Sequence, residues 1–99
     1  MLTKALLVRL EALPGKEAEL AEFLVQARSI VMEEPGTIAW FAIRFGPSTF
    51  GVYDVFPDEE ARDAHLAGGV GQALGPNIGV LFSEPQIERI DILAAKVPG

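Results

Sequence analysis

The sequence predicts one α+β domain of the ferredoxin-like kind, with the element order β-α-β-β-α-β and one antiparallel four-stranded sheet. Three observations predict this fold. The 99 residues are enough for one hydrophobic core and no more. Apolar positions recur with a period of two in some segments and of about 3.6 in others, as in strands and helices. Glycine and proline signals separate these segments, so we expect residues 1–99 to form a single domain.

The first half of the chain predicts a strand followed by a long helix. Residues 4–12 suit a strand, with Leu6, Val8 and Leu10 on one side and Ala5, Leu7 and Arg9 on the other. A Leu-Pro-Gly turn at 13–15 leads into residues 16–33, where apolar side chains recur at helical spacing and glutamates occupy the rest of the helix surface. Pro35 and Gly36 end the helix, because proline lacks a backbone donor and disfavours helix at the preceding residue.

The middle of the chain predicts a hairpin and a short second helix. Residues 37–45 and 50–56 are rich in β-branched and aromatic side chains, and a Gly-Pro-Ser-Thr turn separates them. Asp58 is the expected N-cap of the second helix, since two glutamates follow it where the helix dipole favours negative charge. Gly68 and Gly69 end this helix after Leu66.

The last third of the chain predicts one irregular segment and one strand. Residues 70–82 have a weaker helical rhythm that Gly75-Pro76-Asn77 interrupts. Residues 86–96, with Ile87, Ile90, Ile92 and Leu93, supply a final strand. With both helices packed on one sheet face, apolar side chains on the other face would remain uncovered. We therefore expect a homodimer formed by packing of sheet against sheet.

Composition excludes several classes of function. The formal net charge is −6, with 14 acidic and 8 basic residues and no basic cluster, so we expect no nucleic-acid partner. The chain has no cysteine and one histidine, which excludes a disulfide framework, a thiolate nucleophile and a multi-histidine metal centre. A magnesium or calcium site made of carboxylates alone stays open but unsupported, and we predict neither a metal nor a cofactor.

The chain also lacks the pattern of a membrane segment. The apolar run at its start is broken by Arg9 and Glu11, and nowhere do about 18 uncharged apolar residues follow one another. We expect a soluble, cytoplasmic protein with no membrane partner.

Three segments carry a resemblance to a known family. They are Glu34-Pro35-Gly36-Thr37-Ile38-Ala39-Trp40, Thr49-Phe50-Gly51-Val52-Tyr53-Asp54-Val55-Phe56 and Asp58-Glu59-Glu60-Ala61-Arg62-Asp63-Ala64-His65-Leu66. Together they resemble the antibiotic biosynthesis monooxygenase family. The resemblance implies a dimeric ferredoxin-like α+β barrel. It also implies oxygenation of a small phenolic, anthrone or quinol compound by O₂, without metal or flavin, although other members have no established activity.

The resemblance also implies a set of site residues. Trp40 matches the aromatic position of the second strand, Tyr53 and Asp54 match the Tyr-Glu pair that many members have in the third strand, and His65 matches the histidine of the second helix. A second histidine that often follows in members is absent here, and Asp54 stands where glutamate is commoner.

The chemistry of these residue types agrees with such a reaction. Oxygenation without a cofactor needs a base, hydrogen-bond donors for the developing oxyanion and a dry pocket. We predict His65 as the base, since imidazole titrates near neutral pH, with Trp40 and Tyr53 as donors. Candidate substrate-binding residues are Arg44, Asn77 and Phe41.

Each candidate also has a structural interpretation. In this interpretation His65 caps carbonyls at the end of its helix, Trp40 is a core residue, and Tyr53 is half-buried with its hydroxyl in water. Asn77 forms a turn. Asp54 points away from Tyr53 and is expected to form an ion pair with Arg44 or Arg89. The alternative function is a non-catalytic dimeric module that binds a small apolar ligand or serves in a stress response; a haem-handling relative is the weakest possibility.

Overall fold

The computed structural model describes residues 2–98 and confirms the ferredoxin-like architecture. The strands are β1 (Lys4–Glu11), β2 (Ala39–Arg44), β3 (Thr49–Phe56) and β4 (Gln86–Asp91). The helices are α1 (Glu17–Val31), α2 (Glu59–Leu66) and α3 (Gly69–Leu74), and a 3₁₀ turn follows at Gly75–Asn77. The four strands form one antiparallel sheet in the order β2-β3-β1-β4.

The last strand is shorter than the predicted segment 86–96. Strand β4 ends at Asp91, which pairs with Lys4, the first residue of β1. One further hydrogen bond, from the Ile92 amide to the Thr3 carbonyl, completes the ladder. Residues 92–98 have no neighbouring strand to pair with, so their apolar character does not make them part of the sheet.

The irregular segment after α2 is helical only in its first part. Helix α3 stops at Leu74, and Pro76 lies inside the 3₁₀ turn, where its missing backbone donor costs least. The chain then turns back, because the backbone amides of Val80 and Leu81 both donate hydrogen bonds to the Asn77 carbonyl.

No helix within residues 2–98 has both the length and the apolar character needed to cross a bilayer.

The core lies between the sheet and α1. Alternate residues of β1 and β3 point towards the helices and pack on Leu20 and Leu24 of α1. The buried cluster consists of Val8, Leu10, Ala12, Leu20, Leu24, Phe50, Val52, Leu81 and Phe82. This face of the sheet is the helix-facing face.

The other face of the sheet, the open face, is also rich in large apolar side chains. Phe41 and Phe45 are 52% and 47% exposed, and the Phe41 ring stacks on Tyr53 with 6.5 Å between centroids. The Arg9 guanidinium lies 4.4 Å from the centre of the Phe45 ring. The expectation that apolar residues occupy both faces is therefore confirmed for the single chain.

Candidate functional site

The N-cap of α2 fixes the position of His65. The Asp58 carboxylate accepts a hydrogen bond of 2.8 Å from the Ala61 amide, which confirms the predicted cap. His65 lies in the last turn of this helix, on the side that meets the sheet, and only 7% of it is exposed. Its ring packs on Phe56 of β3, with 5.2 Å between ring centroids.

Both ring nitrogens of His65 contact carboxylates. Nδ1 lies 2.5 Å from Glu34 Oε1, and Nε2 lies 2.6 Å from Asp54 Oδ2. Glu34 follows the end of α1, while Asp54 is the helix-facing residue in the middle of β3. The Thr37 hydroxyl donates a 2.8 Å hydrogen bond to Glu34 Oε1 and so holds this carboxylate in place. These three groups, Glu34, His65 and Asp54, form the carboxylate–histidine array.

The geometry of the array favours a protonated histidine. A carboxylate oxygen accepts hydrogen bonds, so two such neighbours are satisfied together only when both ring nitrogens carry protons. Burial opposes the charged ring and lowers its pKa, but the hydrogen bonds and negative charges of Asp54 and Glu34 together outweigh burial. The net effect raises the pKa of His65 above its ordinary value.

A cavity of about 210 Å³ lies beside the array. We call it the main cavity because it adjoins the array. It is bounded by the helix-facing side of the sheet, by α2 and α3, and by the segment before β4. Most of its lining is apolar and includes Leu6, Val8, Val52, Leu66, Val70 and Ile87. Its ionisable lining residues are Asp54, His65 and Glu84. Both oxygens of Asp54 are buried and lack a hydrogen-bond partner among the residues the structure describes; Oδ2 has its short ion-pair contact with His65, whereas Oδ1 has no such contact.

Trp40 lies outside the main cavity. It lines a second cavity of about 260 Å³ between α1 and β2, together with Arg28, Met32 and Glu34. Its ring also packs against the buried core cluster, which agrees with the interpretation of Trp40 as a core residue. Glu34 thus stands between the two cavities, since it contacts His65 on one side and lines the second cavity on the other.

Tyr53 and Phe41 lie on the open face and not in the main cavity. Asp54 faces the helices, and the pleat of β3 turns its neighbour Tyr53 to the opposite side, as the alternation predicted. Tyr53 is half-buried against Phe41. The sheet therefore separates this stacked pair from His65 within one chain.

Arg44 and Asn77 make local backbone contacts. The Arg44 guanidinium donates to the carbonyls of Gly46 and Pro47, at 3.2 and 3.1 Å, and lies 4.6 Å from the centre of the Phe50 ring. The Asn77 amide nitrogen donates to the Ala73 carbonyl at 2.9 Å. Neither side chain lines the main cavity, and Asn77 serves the turn at the end of α3.

Two predicted contacts are wrong. Asp54 pairs with His65 and not with Arg44 or Arg89; the latter pairs with Asp63 of α2 at 2.9 Å. The ring nitrogens of His65 contact carboxylates and not the free carbonyls at the end of its helix. In both cases the residues lie far apart in sequence, so helix position and strand alternation alone did not reveal the pairing.

Three residues of the site were not predicted: Glu34, Thr37 and Glu84. The first two belong to the Glu-Pro-Gly-Thr motif, whose position after α1 brings it next to the end of α2. A second signal was available in β3, where Asp54 continues the helix-facing series of Phe50 and Val52. A carboxylate in a buried apolar series needs a partner.

Within residues 2–98 no group of three or more potential ligands is arranged for a metal ion.

The comparisons with known proteins agree on the fold. No protein-family model matches the sequence, and no curated protein matches it significantly. Among solved structures, a protein of unknown function from Nitrosomonas europaea superposes with a TM-score of 0.97 at 54% identity, over 100% of this chain and 97% of that one.

Two more distant structures share the fold alone. A proposed antibiotic biosynthesis monooxygenase from Caulobacter crescentus superposes with a TM-score of 0.78 at 21% identity, over 93% of this chain and 91% of that one. A variant of a cofactor-independent oxygenase from Streptomyces nogalater gives 0.76 at 13% identity, over 94% and 95% of the two chains. The chain therefore has the fold of the antibiotic biosynthesis monooxygenases, and it belongs to one family with the Nitrosomonas europaea protein of unknown function.

Proposed function

We propose that this protein is a cofactor-independent oxygenase that uses O₂ to oxidise a small aromatic hydroxyl compound in the main cavity. The observation that carries the proposal is a buried carboxylate oxygen without a partner, Asp54 Oδ1, next to an apolar cavity. A phenolic O–H is a donor that such an oxygen can accept, and the aromatic ring suits the apolar lining.

The array gives the reaction its proton chemistry. Both nitrogens of His65 are engaged, so we assign proton acceptance to the Asp54–His65 pair and not to the imidazole alone. The substrate hydroxyl transfers its proton to Asp54 Oδ1, and the positive ring of His65 stabilises the aromatic anion that remains. Glu34 and Thr37 orient the ring from the other side.

The electrons for oxygen reduction come from the substrate anion. It transfers one electron to O₂, and the resulting radical and superoxide combine into a peroxide at a ring carbon. Breaking the O–O bond and the C–H bond of the same ring carbon leaves one oxygen atom as a carbonyl and releases the other as water, whose two protons are the one returned from Asp54 and the one lost from that carbon. For a phenol, the products are a quinone and one water, so atoms and electrons balance without a further reductant. The apolar lining keeps water away from the anion.

We extend the proposal to a homodimer. The open face carries Phe41, Phe45 and the half-buried Tyr53, and such a patch on a lone domain is a liability in water. A second copy of the same face covers it with matching apolar side chains. In this arrangement Tyr53 and Phe41 serve the interface between subunits.

The test is oxygen uptake by the purified, chelator-treated protein with a panel of quinols, anthrones and phenols. We expect uptake above background, with one atom of labelled O₂ in the product and the other in water. His65→Ala and Asp54→Asn should both abolish uptake. The control Asp63→Asn removes a carboxylate from the exposed side of α2 and should leave uptake unchanged. Equal uptake by the wild type and Asp54→Asn would overturn the assignment.

A second function, a non-catalytic binding module, is favoured by one observation. Both nitrogens of His65 already contact carboxylates, so neither is free to take a proton from a bound hydroxyl compound. In that case the same phenols would bind the main cavity with equal affinity with and without O₂, and no oxygen would be consumed.

A further inference from the structure

The solvent end of the main cavity carries an isolated carboxylate, Glu84. This residue precedes Pro85 and β4, is exposed, and lines the cavity whose inner wall includes the buried Asp54 and His65. Within residues 2–98, no nitrogen of a lysine, arginine or histidine lies within 4.0 Å of its oxygens. Arg9 shares a neighbouring groove with Glu84, but its guanidinium lies over the Phe45 ring.

The charges around the cavity are unbalanced. None of its described lining residues is a lysine or an arginine. The positive ring of His65 is already matched by two carboxylates, Glu34 and Asp54, which leaves the array negative overall. The whole chain, including the array, has a formal net charge of −6 with His65 counted as neutral. The potential inside the cavity therefore favours cations and repels anions.

We infer that the main cavity selects aromatic hydroxyl compounds that carry a cationic amine, with the hydroxyl at Asp54 and the ammonium group at Glu84. This inference rests on the proposed function for the hydroxyl end and adds a specificity-determining residue at the other end. The cavity volume of about 210 Å³ exceeds the roughly 150 Å³ of an apolar cavity that admits benzene, so a ring with a short aminoalkyl chain fits.

The expected preference is modest because Glu84 is exposed. An ion pair exposed to water lowers the dissociation constant of a ligand by about two- to fivefold. Repulsion of an anionic ligand raises its dissociation constant by a similar factor. A cationic ligand should thus bind about tenfold more tightly than an anionic ligand of the same shape. The preference should fall as salt is added, because screening acts over about 8–10 Å at moderate ionic strength.

Three phenols of similar size test the inference. They are tyramine, which carries an ammonium group, 4-ethylphenol, which is neutral, and 3-(4-hydroxyphenyl)propionate, which carries a carboxylate. Their dissociation constants are measured by calorimetry or NMR titration, without O₂ and at two salt concentrations. The wild type is compared with Glu84→Gln and with Glu22→Gln, which removes the same charge from the exposed side of α1.

The expected order of affinity is tyramine, then 4-ethylphenol, then the propionate, with the differences lost in Glu84→Gln and kept in Glu22→Gln. If 4-ethylphenol binds but tyramine binds no more tightly, the charge inference fails and the proposed hydroxyl site stands. A tyramine preference that survives in Glu84→Gln also overturns the role of Glu84. If none of the three phenols binds, the proposed function fails together with the inference.

Discussion

His65 Nε2 lies 2.6 Å from Asp54 Oδ2, which joins the last turn of α2 to the middle of β3 through a buried charge pair. Asp54 is 1% exposed and His65 is 7% exposed. Two such groups are stable in the interior only when they satisfy each other. The pair therefore holds α2 against the sheet at the wall of the main cavity.

The first prediction concerns the dependence of stability on pH. The pKa of His65 is raised in the folded protein. The chain therefore takes up a proton on folding when the pH lies between the pKa of His65 in the unfolded state and its pKa in the folded state. The stabilisation by His65 is complete below about pH 6.5, the unfolded value, and is lost as pH rises through the folded pKa. Urea unfolding of the wild type and His65→Gln should show the stability difference shrinking with rising pH.

His65 is the single histidine of the chain, so NMR titration of its ring protons checks the same prediction directly. The expected midpoint of this titration lies above about pH 6.5, the ordinary pKa of histidine. A midpoint below about 6.5, or a stability difference that grows with pH, would show that burial dominates over the two carboxylates.

The second prediction concerns removal of the histidine charge from the array. His65→Ala leaves Asp54 as a buried carboxylate without a cation, beside the partly buried Glu34, so we expect a loss of about 3–5 kcal/mol in the free energy of unfolding near neutral pH. Adding Asp54→Asn to His65→Ala should recover part of this loss, since one uncompensated charge disappears. Additive effects of the two substitutions in urea unfolding would contradict the coupling.

The third prediction concerns Asp54 as the proton acceptor. Asp54→Asn keeps the shape of the side chain but removes the carboxylate that we propose as the acceptor of the substrate proton. If the protein is an oxygenase, oxygen uptake should fall about 100-fold or more. The variant should still bind phenols, which separates the loss of chemistry from the loss of the cavity. Retention of more than a tenth of the wild-type rate would argue against this role.

The fourth prediction concerns Gly51, which lies under the Phe45 ring on the open face. A Cβ atom at Gly51 would lie 2.8 Å from the Val8 carbonyl oxygen and 2.9 Å from Phe45 Cε2. Because the carbonyl belongs to the neighbouring strand, Gly51→Ala should cost about 1–3 kcal/mol in urea unfolding. Gly46→Ala is the matched control, since no atom lies within 4 Å of its Cβ position. Equal stability of the two variants would show that Phe45 and strand β1 shift to accommodate the added methyl group at little energetic cost.

The fifth prediction concerns the homodimer. We expect the wild type to be a dimer in light scattering at micromolar concentration. Phe41→Glu places a charge in the apolar patch of the open face, so this variant should be a monomer under the same conditions. Val25→Glu is the control, because Val25 is 70% exposed on α1, on the other side of the sheet. Dimers of equal stability in both variants would place the interface elsewhere.

The fold was largely predictable from the sequence, because each element has its own local signal. The alternation in β1 and β3, the helical spacing in α1 and the Asp58 cap all act between residues close in sequence, and the elements up to α2 lie within about two residues of their predicted bounds. There are two exceptions. The irregular segment 70–82 is helical only as far as Asn77, and the end of the last strand depends on the length of β1, its partner, and not on its own residues.

The candidate site was only partly predictable. His65 was recognisable as a histidine on the inner side of α2, and Asp54 as a residue on the face opposite Tyr53. Their pairing, the contribution of Glu34 and the exclusion of Trp40 from the main cavity depend on how α1 and α2 pack on the sheet.

The order of the elements, the assignment of side chains to the two faces of β3 and the acidic balance of charge all follow from local sequence patterns and composition. Which ionisable groups meet depends on the packing of the elements in three dimensions. Local patterns arise from hydrogen bonds and apolar periods over a few residues, whereas Glu34, Asp54 and His65 lie on three separate elements. Their contacts follow from the depth at which each helix packs on the sheet, and that depth is set by the whole core.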